Sequence, residues 1–371
     1  MKVFDELIDV CLAKGKPFAA FRLPGESLPQ IIVELDANSG SKEEKTSDRE
    51  FVFAPFVRSV ASPPLRIRAD WDLRADGIQG DHLWELEQHP DRAILLGDTL
   101  PYSMSRSEHL ALVQDTIEEI DNRDPDKIVI SRVQLVDRDS TVLLSQLFHA
   151  LCGAYKTAYV SLVHHPDAGI WIGASPETLL NGWQTYYQTM ALAGTRKLLP
   201  GMTEVSWRPK EQEEQAMVAD FISEVLEDLG ANIMSMTGPM SSLAGQMAHL
   251  KTMFEFEFEG NIQTLIERLH PTPAVSGLPQ QEAIDFIVNR EPHDRAYYAG
   301  YMGVIHPKGN TRLWVNLRNM QVFDEQYALY IGGGITTDSK PMEEWQETQL
   351  KAGTLLSVLQ NLSMFAPKSA G

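Results

Sequence analysis

Short apolar runs alternate with polar breaks along the chain, and the spacing of the apolar positions separates strands from helices. "QIIVEL" and "FVFAPF" read as strands on either side of a polar, turn-rich loop, Asp36–Glu50. From Ser105 to Asp126 apolar residues recur at helical period between an opening serine and a closing Asp-Pro, so a helix is expected. "KIVISRVQL" follows as a strand, "TVLLSQLFHALCGAY" as a helix, and "TAYVSLVHH", "GIWIGAS" and "ETLL" as strands. A long helix over Lys210–Leu229 closes at Gly230, and "LPQQEAIDFIVNRE" is helical. "RLWVNLRNMQVF" and "YALYIGGGI" read as strands before a last helix, "EEWQETQLKAGTLLSVLQNL". Strands come in runs rather than in strict alternation with helices. That predicts an α+β fold with antiparallel sheet, not a doubly wound parallel one.

Helical phasing brings out two acidic pairs. At about 100° per residue, Met217, Val218, Phe221, Ile222, Val225, Leu226 and Leu229 form one stripe of the helix Lys210–Leu229. Glu213, Asp220 and Glu227 lie opposite, but Glu211 and Glu214 fall inside the stripe. Two readings stand. The pair sits in a first turn, where the stripe is not yet covered and the helix N-terminus favours anions. Or it is a buried carboxylate pair that needs a cation. In the last helix Trp345, Ala352, Leu355, Leu356 and Leu359 form the stripe, Glu344 and Lys351 flank it, Glu347 lies further round and Glu343 points away. Neither pair has a histidine at ligand spacing, which argues against zinc. Oxygen-only ligands with open positions suit Mg²⁺.

Charge changes this picture. The chain has 371 residues, 43% of them apolar, and a formal net charge of −19. So acidic a protein does not suit nucleic acid or an anionic membrane, and an anionic substrate would need a local cation. The two cysteines, Cys11 and Cys152, make no C-x-x-C, which excludes a disulfide scaffold and a cysteine zinc site and fits a reducing compartment. The amphipathic start is unlike a signal peptide and no apolar run is long enough to span a bilayer, so the cytoplasm is expected. The glycines of "YIGGGI" would let backbone N–H groups approach an anion, or simply form a tight turn. Glu177, after an apolar strand, reads as an acid with a raised pKa or as an exposed strand end. Lys127 opens a strand, where most lysines are solvated.

Taken in order, "KIVISR", "GASPETLL", "ALAGT", "EQEEQAM", "HL-x-T", "HPTPAVSGLP", "EPHDRAYYAGYMG", "IGGGI" and "EEWQETQLK" resemble the chorismate-binding enzymes, and within them the isochorismate synthases. The resemblance covers roughly residues 120–360 of one domain spanning 1–371; residues 1–110 carry no matching motif. It implies packed antiparallel sheets flanked by helices around a central cleft. It also implies a cytoplasmic isomerase that converts chorismate to isochorismate, for menaquinone, siderophore or salicylate synthesis. Carried over residue by residue, Glu214 and Glu347 bind Mg²⁺, with Glu211 and Glu344 as neighbouring or water-mediated ligands. Arg318, Tyr298, the backbone near Gly333, and Lys351 meet the enolpyruvyl carboxylate. Thr195, His249 and Ala274 line the substrate site. Lys127 matches the general base that activates water, and Glu177 the general acid. Ammonia-using relatives, the anthranilate and aminodeoxychorismate synthases, usually carry glutamine at the position of Lys127. Water as nucleophile and no glutaminase partner are therefore expected. Salicylate synthase is the alternative. "HLKTMFEFEFEG" is longer than the family pattern, leaving Glu255 and Glu259 as rivals for one glutamate position.

Overall fold

The computed structural model describes residues 2–35, 49–92, 96–97, 99–122, 125–198, 205–244, 247–306 and 309–365. Most of the expected loop Asp36–Glu50, residues 36–48, lies outside them. The elements begin with α1 (Lys2–Ala13), β1 (Phe18–Arg22), β2 (Gln30–Val33), β3 (Glu50–Ala54), β4 (Leu65–Arg68), β5 (Trp71–Arg74), α2 (Gly80–Glu87) and α3 (Arg106–Asn122). Next come β6 (Lys127–Asp137), α4 (Leu144–Ala154), β7 (Tyr159–His165), β8 (Gly169–Ser175), β9 (Thr178–Trp183), β10 (Tyr186–Lys197) and α5 (Pro209–Asp228). Then follow β11 (Asn232–Ala244), β12 (Met247–Glu257), α6 (Ile262–Leu269), β13 (Gly277–Leu278) and α7 (Gln280–Arg290). The chain ends in β14 (Tyr301–Ile305), β15 (Asn310–Val315), β16 (Asn319–Val322), β17 (Gln326–Ile335) and α8 (Pro341–Phe365). Among the described residues no helix is long and apolar enough to cross a membrane.

The strands make two sheets, ordered β13-β6-β17-β16-β8-β7-β1-β2-β5 and β11-β12-β10-β9-β15-β14-β3-β4. The α+β reading is right. The two sheets pack face to face over an aromatic core. Tyr159 of β7 stacks on Trp314 of β15 at 4.0 Å, so rings from both sheets meet, and Phe53 stacks on the loop residue Tyr297 at 4.3 Å. The other face of the nine-stranded sheet is covered by α1, α4 and α8. Along β1 the alternation is visible: Ala19 and Phe21 enter the inter-sheet core, Phe18 and Ala20 the helix-covered one. Burial on both faces is why β1, β7 and β8 read as near-continuous apolar runs.

One reading needs correction. "RLWVNLRNMQVF" is not one strand but β15 and β16, and these belong to different sheets. The break falls at Arg318, whose φ of +49° lies in the left-handed region and turns the chain out of one ladder. "GIWIGASPETLL" does the same: β8 lies in the nine-stranded sheet and β9 in the eight-stranded one. Since β8 pairs with β16 and β9 with β15, both crossings coincide in a single seam. Glu177 and Arg318 sit on that seam. There the Val315 N–H donates to the Glu177 carbonyl at 3.0 Å, and the Ala174 N–H to the Arg318 carbonyl at 3.0 Å.

Candidate active site

The seam opens into a cleft. Its walls carry Glu177 and Arg318 from the seam, Thr195 from β10, His249 from β12, Ala274 and Tyr298 from loops, and Gly333 from β17. Glu214 of α5 and Glu347 and Lys351 of α8 complete it. Thr195 is aimed by a β-bulge at Ala193/Thr195, where Gly194 takes φ +69°. A side chain at Gly194 would also meet Glu211, its Cβ 3.1 Å from Glu211 Cβ.

Lys127, Glu211 and Glu344 stand behind this wall. The Lys127 side chain is wholly buried, with Nζ 3.0 Å from Glu214 Oε1. That contact lies off hydrogen-bonding direction, and among the described residues no acceptor hydrogen-bonds the buried Nζ. A Cβ at Gly334 would come 2.7 Å from Glu214 Oε1 and 3.0 Å from Lys127 Cε. Only a glycine lets β17 pass so close. Gly334→Ala is expected to push the two apart and to lower kcat/KM by about a hundredfold or more, with an unchanged circular dichroism spectrum. Near-normal kinetics would show that the spacing has slack.

Glu177 is buried, and burial pushes its carboxyl up to about 8 against the pull of Lys127 and a hydrogen bond from Thr272 Oγ1 at 3.4 Å. It is therefore an acid, protonated at neutral pH. Of its two readings, the exposed strand end fails.

Each of the four glutamates meets one cation. Glu211 pairs with Arg208, Glu214 with Lys127, Glu344 with Lys210 at 2.8 Å and Glu347 with Lys351 at 2.7 Å. Both readings of Glu211 hold at once: it is buried, and it caps its helix by accepting the Arg208 backbone N–H at 2.9 Å. Burial raises its pKa, but the Arg208 hydrogen bonds outweigh this and hold it low. Glu344 is more buried than phasing implied. The buried line of α8 runs through Glu344, Thr348, Ala352, Leu355 and Val358, and Trp345, Leu356 and Leu359 are only half-buried. The shift follows from what α8 touches. It packs on β17, α3 and α4 together, and Thr348 accepts a 2.8 Å hydrogen bond from buried Arg132, whose guanidinium lies over Trp345.

Among the described residues no three or more metal-binding side chains converge. The carboxylates nonetheless fit a hard cation. Glu214 Oε1 and Glu344 Oε2 reach the positions where Cβ atoms at Gly334 and Gly333 would stand, at 2.7 and 3.7 Å. The donor set is all oxygen, as Mg²⁺ requires. Burial and then the neighbouring Glu347 raise the pKa of Glu344, the signature of like charges that a dication would relieve.

The other end of the cleft is cationic. Arg318 donates to Thr354 Oγ1 at 3.2 Å and approaches His249 Nε2 at 3.5 Å. His249 Nδ1 lies 3.1 Å from the Gly194 carbonyl, which places the proton on Nδ1 and leaves Nε2 as acceptor. Burial, then Arg318 and Lys351, push the His249 pKa to about 3, so the ring is neutral. Lys351 Nζ also donates to the Gly332 carbonyl at 2.8 Å, and the Tyr298 hydroxyl lies 2.6 Å from where a Gly332 Cβ would stand. Burial lifts that phenol to about 12.

Residues 85–360 match the family described as "Chorismate binding enzyme". The chain belongs to the chorismate-binding enzyme family. Isochorismate synthase EntC of Escherichia coli (strain K12) is 32% identical over 244 residues, covering 63% of this chain and 62% of that one. Isochorismate synthase MenF of Bacillus subtilis (strain 168) is 28% identical over 267 residues, covering 69% and 56%. The match thus spans less than two thirds of either relative. Among solved structures, the menaquinone-specific isochorismate synthase MenF of Escherichia coli superposes with a TM-score of 0.75 at 20% identity, covering 95% of this chain and 91% of that one. The putative 2,3-dihydroxybenzoate-specific isochorismate synthase DhbC of Bacillus anthracis gives 0.76 at 22%, covering 97% and 100%. These two show the shared fold, with its paired antiparallel sheets.

Sequence reasoning missed several residues that hold this family site together. Lys210 meets Glu344 across 134 positions and Thr272 meets Glu177 across 95, separations that no local pattern marks. The Glu291/Arg295 pair had a signal, its i, i+4 spacing in "EPHDR". Buried Arg295 grips Glu291 and donates to the Val129 and Val275 carbonyls, while Glu291 accepts the Ser131 N–H, so β6 is fixed four residues from Lys127. Of the rivals Glu255 and Glu259, neither lines the cleft: Glu255 accepts from Gln188 on β10 at 2.8 Å and Glu259 is exposed.

Proposed function

We propose that the protein is an isochorismate synthase. Lys127, as the neutral amine, takes a proton from water, the resulting hydroxide adds to C2 of the chorismate ring, and the C4 hydroxyl leaves as water after protonation by Glu177. The observation that carries this is the buried acid–base pair: Glu177, protonated at neutral pH, and Lys127, walled in beside the same cleft. Arg318, Lys351 and Tyr298 hold the enolpyruvyl carboxylate at the cationic end, against the backbone of Gly333. Thr195, His249 and Ala274 line the ring, with His249 offering an acceptor at Nε2. Glu214 and Glu347 hold Mg²⁺, with Glu344 and Glu211 beside them. The ion supplies the positive charge that an acidic protein needs to bind the ring carboxylate. Anchoring both carboxylates makes this catalysis by positioning and electrostatics.

The test is to give the purified protein chorismate with and without Mg²⁺ and to separate the products. Mg²⁺-dependent isochorismate without pyruvate supports the reading. Stoichiometric pyruvate would make it a salicylate synthase, and turnover only with ammonium would place it with the amine-transferring relatives.

A further inference from the structure

Three of the lysines beside the glutamates differ in what else they do. Lys127 and Lys351 carry roles in the proposed reaction. Lys210, in the first turn of α5, does not line the cleft. Its Nζ donates to Glu344 Oε1 at 2.8 Å and to Ser339 Oγ at 3.1 Å. Ser339 Oγ in turn donates to the same Glu344 oxygen at 2.8 Å. The glutamate is 5% exposed but the lysine 24%, so the ammonium reaches in from the solvent side while the carboxylate has nowhere else to turn. Glu214 and Glu347 stand close enough to act on the lysine as well. A buried carboxylate without a counter-charge is costly, and Glu344 is buried with half-buried Glu214 and Glu347 beside it.

We propose that Lys210 is a tethered counter-ion. In the metal-free protein its ammonium neutralises Glu344, and entry of the divalent ion displaces it toward solvent, so Lys210 sets the metal affinity of the site. The inference rests on the Mg²⁺ reading above. Metal uptake then becomes an exchange of one cation for another. The chain keeps its acidic pocket folded without metal, at the cost of weaker metal binding.

The experiment is Mg²⁺ titration by calorimetry, with thermal unfolding, on wild type, Lys210→Met and Lys210→Gln. Gln serves if Met does not fold, because it keeps an uncharged polar donor at this position. Both variants should bind Mg²⁺ about tenfold or more tightly than wild type, since a competing charge is gone. Both should also lose thermal stability without metal and recover it with Mg²⁺. Unchanged or weaker binding in the variants would overturn the proposal and make Lys210 a residue that positions Glu344. If wild type binds no Mg²⁺ at all, the metal reading itself fails, a distinct result.

Discussion

Glu177→Gln should nearly abolish turnover and yet stabilise the protein, increasingly so as the pH rises. An amide at this position keeps the shape and donates no proton, so a loss of about a hundredfold to ten-thousandfold in kcat is expected. The stability side follows from linkage. The carboxyl titrates near 4.5 when unfolded and near 8 when folded. Between those values the native state binds more protons than the unfolded one, so folding stability contributed by Glu177 falls as the pH climbs through this window. Glutamine has nothing to titrate and loses nothing there. The side chain is buried, so solvent screening does not discount the effect, and the variant's advantage should grow to several kcal/mol, on the order of 1.4 per unit of pH. Denaturant unfolding of both proteins at about pH 5 and about pH 8.5 measures it. An advantage that stays flat with pH would mean that Glu177 is already ionised, and no acid at neutral pH.

Lys127→Gln should leave chorismate binding close to wild type while turnover falls about a hundredfold to ten-thousandfold. The proposed anchors, Arg318, Lys351 and Glu347, line the cleft from other parts of the chain than β6. Glutamine keeps a polar amide on the side of Glu214, where alanine would leave a cavity. What is lost is the proposed acceptor of the water proton. Calorimetric binding beside product formation separates the two effects. Near-normal turnover in the variant would remove Lys127 from the mechanism.

Much of the architecture was legible because strands and helices leave periodic traces. The helices over Ser105–Asp126 and Lys210–Leu229 appear where phasing put them, as α3 and α5. Phasing also found that Glu211 lies on a buried face. It failed at "RLWVNLRNMQVF" because alternation reports a pleat and not the sheet to which the pleat belongs. Only the backbone angle at Arg318 reveals the crossing. It underestimated Glu344 because a helical wheel assumes one apolar partner, whereas α8 is held by polar groups too, Lys210 and Ser339 at Glu344 and Arg132 at Thr348. Residue pattern left Glu177 open between an acid and an exposed strand end and gave Lys127 only a solvated strand start; their proposed roles came from the resemblance. A strand-end lysine and a strand-end glutamate become chemical only when the fold buries both.

The pairing of the early strands sets a problem in time. Phe51 on β3 finds its partner, Val304 on β14, roughly 250 residues further along. At ordinary rates of protein synthesis the ribosome needs on the order of ten seconds or more to deliver that partner. Throughout the interval "FVFAPF" has no neighbouring strand on the β14 side, and β1 likewise awaits β7. The nascent chain therefore exposes apolar strand edges long before either sheet can close. Synthesis in crowded or chaperone-poor conditions is where this protein is most exposed to aggregation, whatever the stability of its finished form.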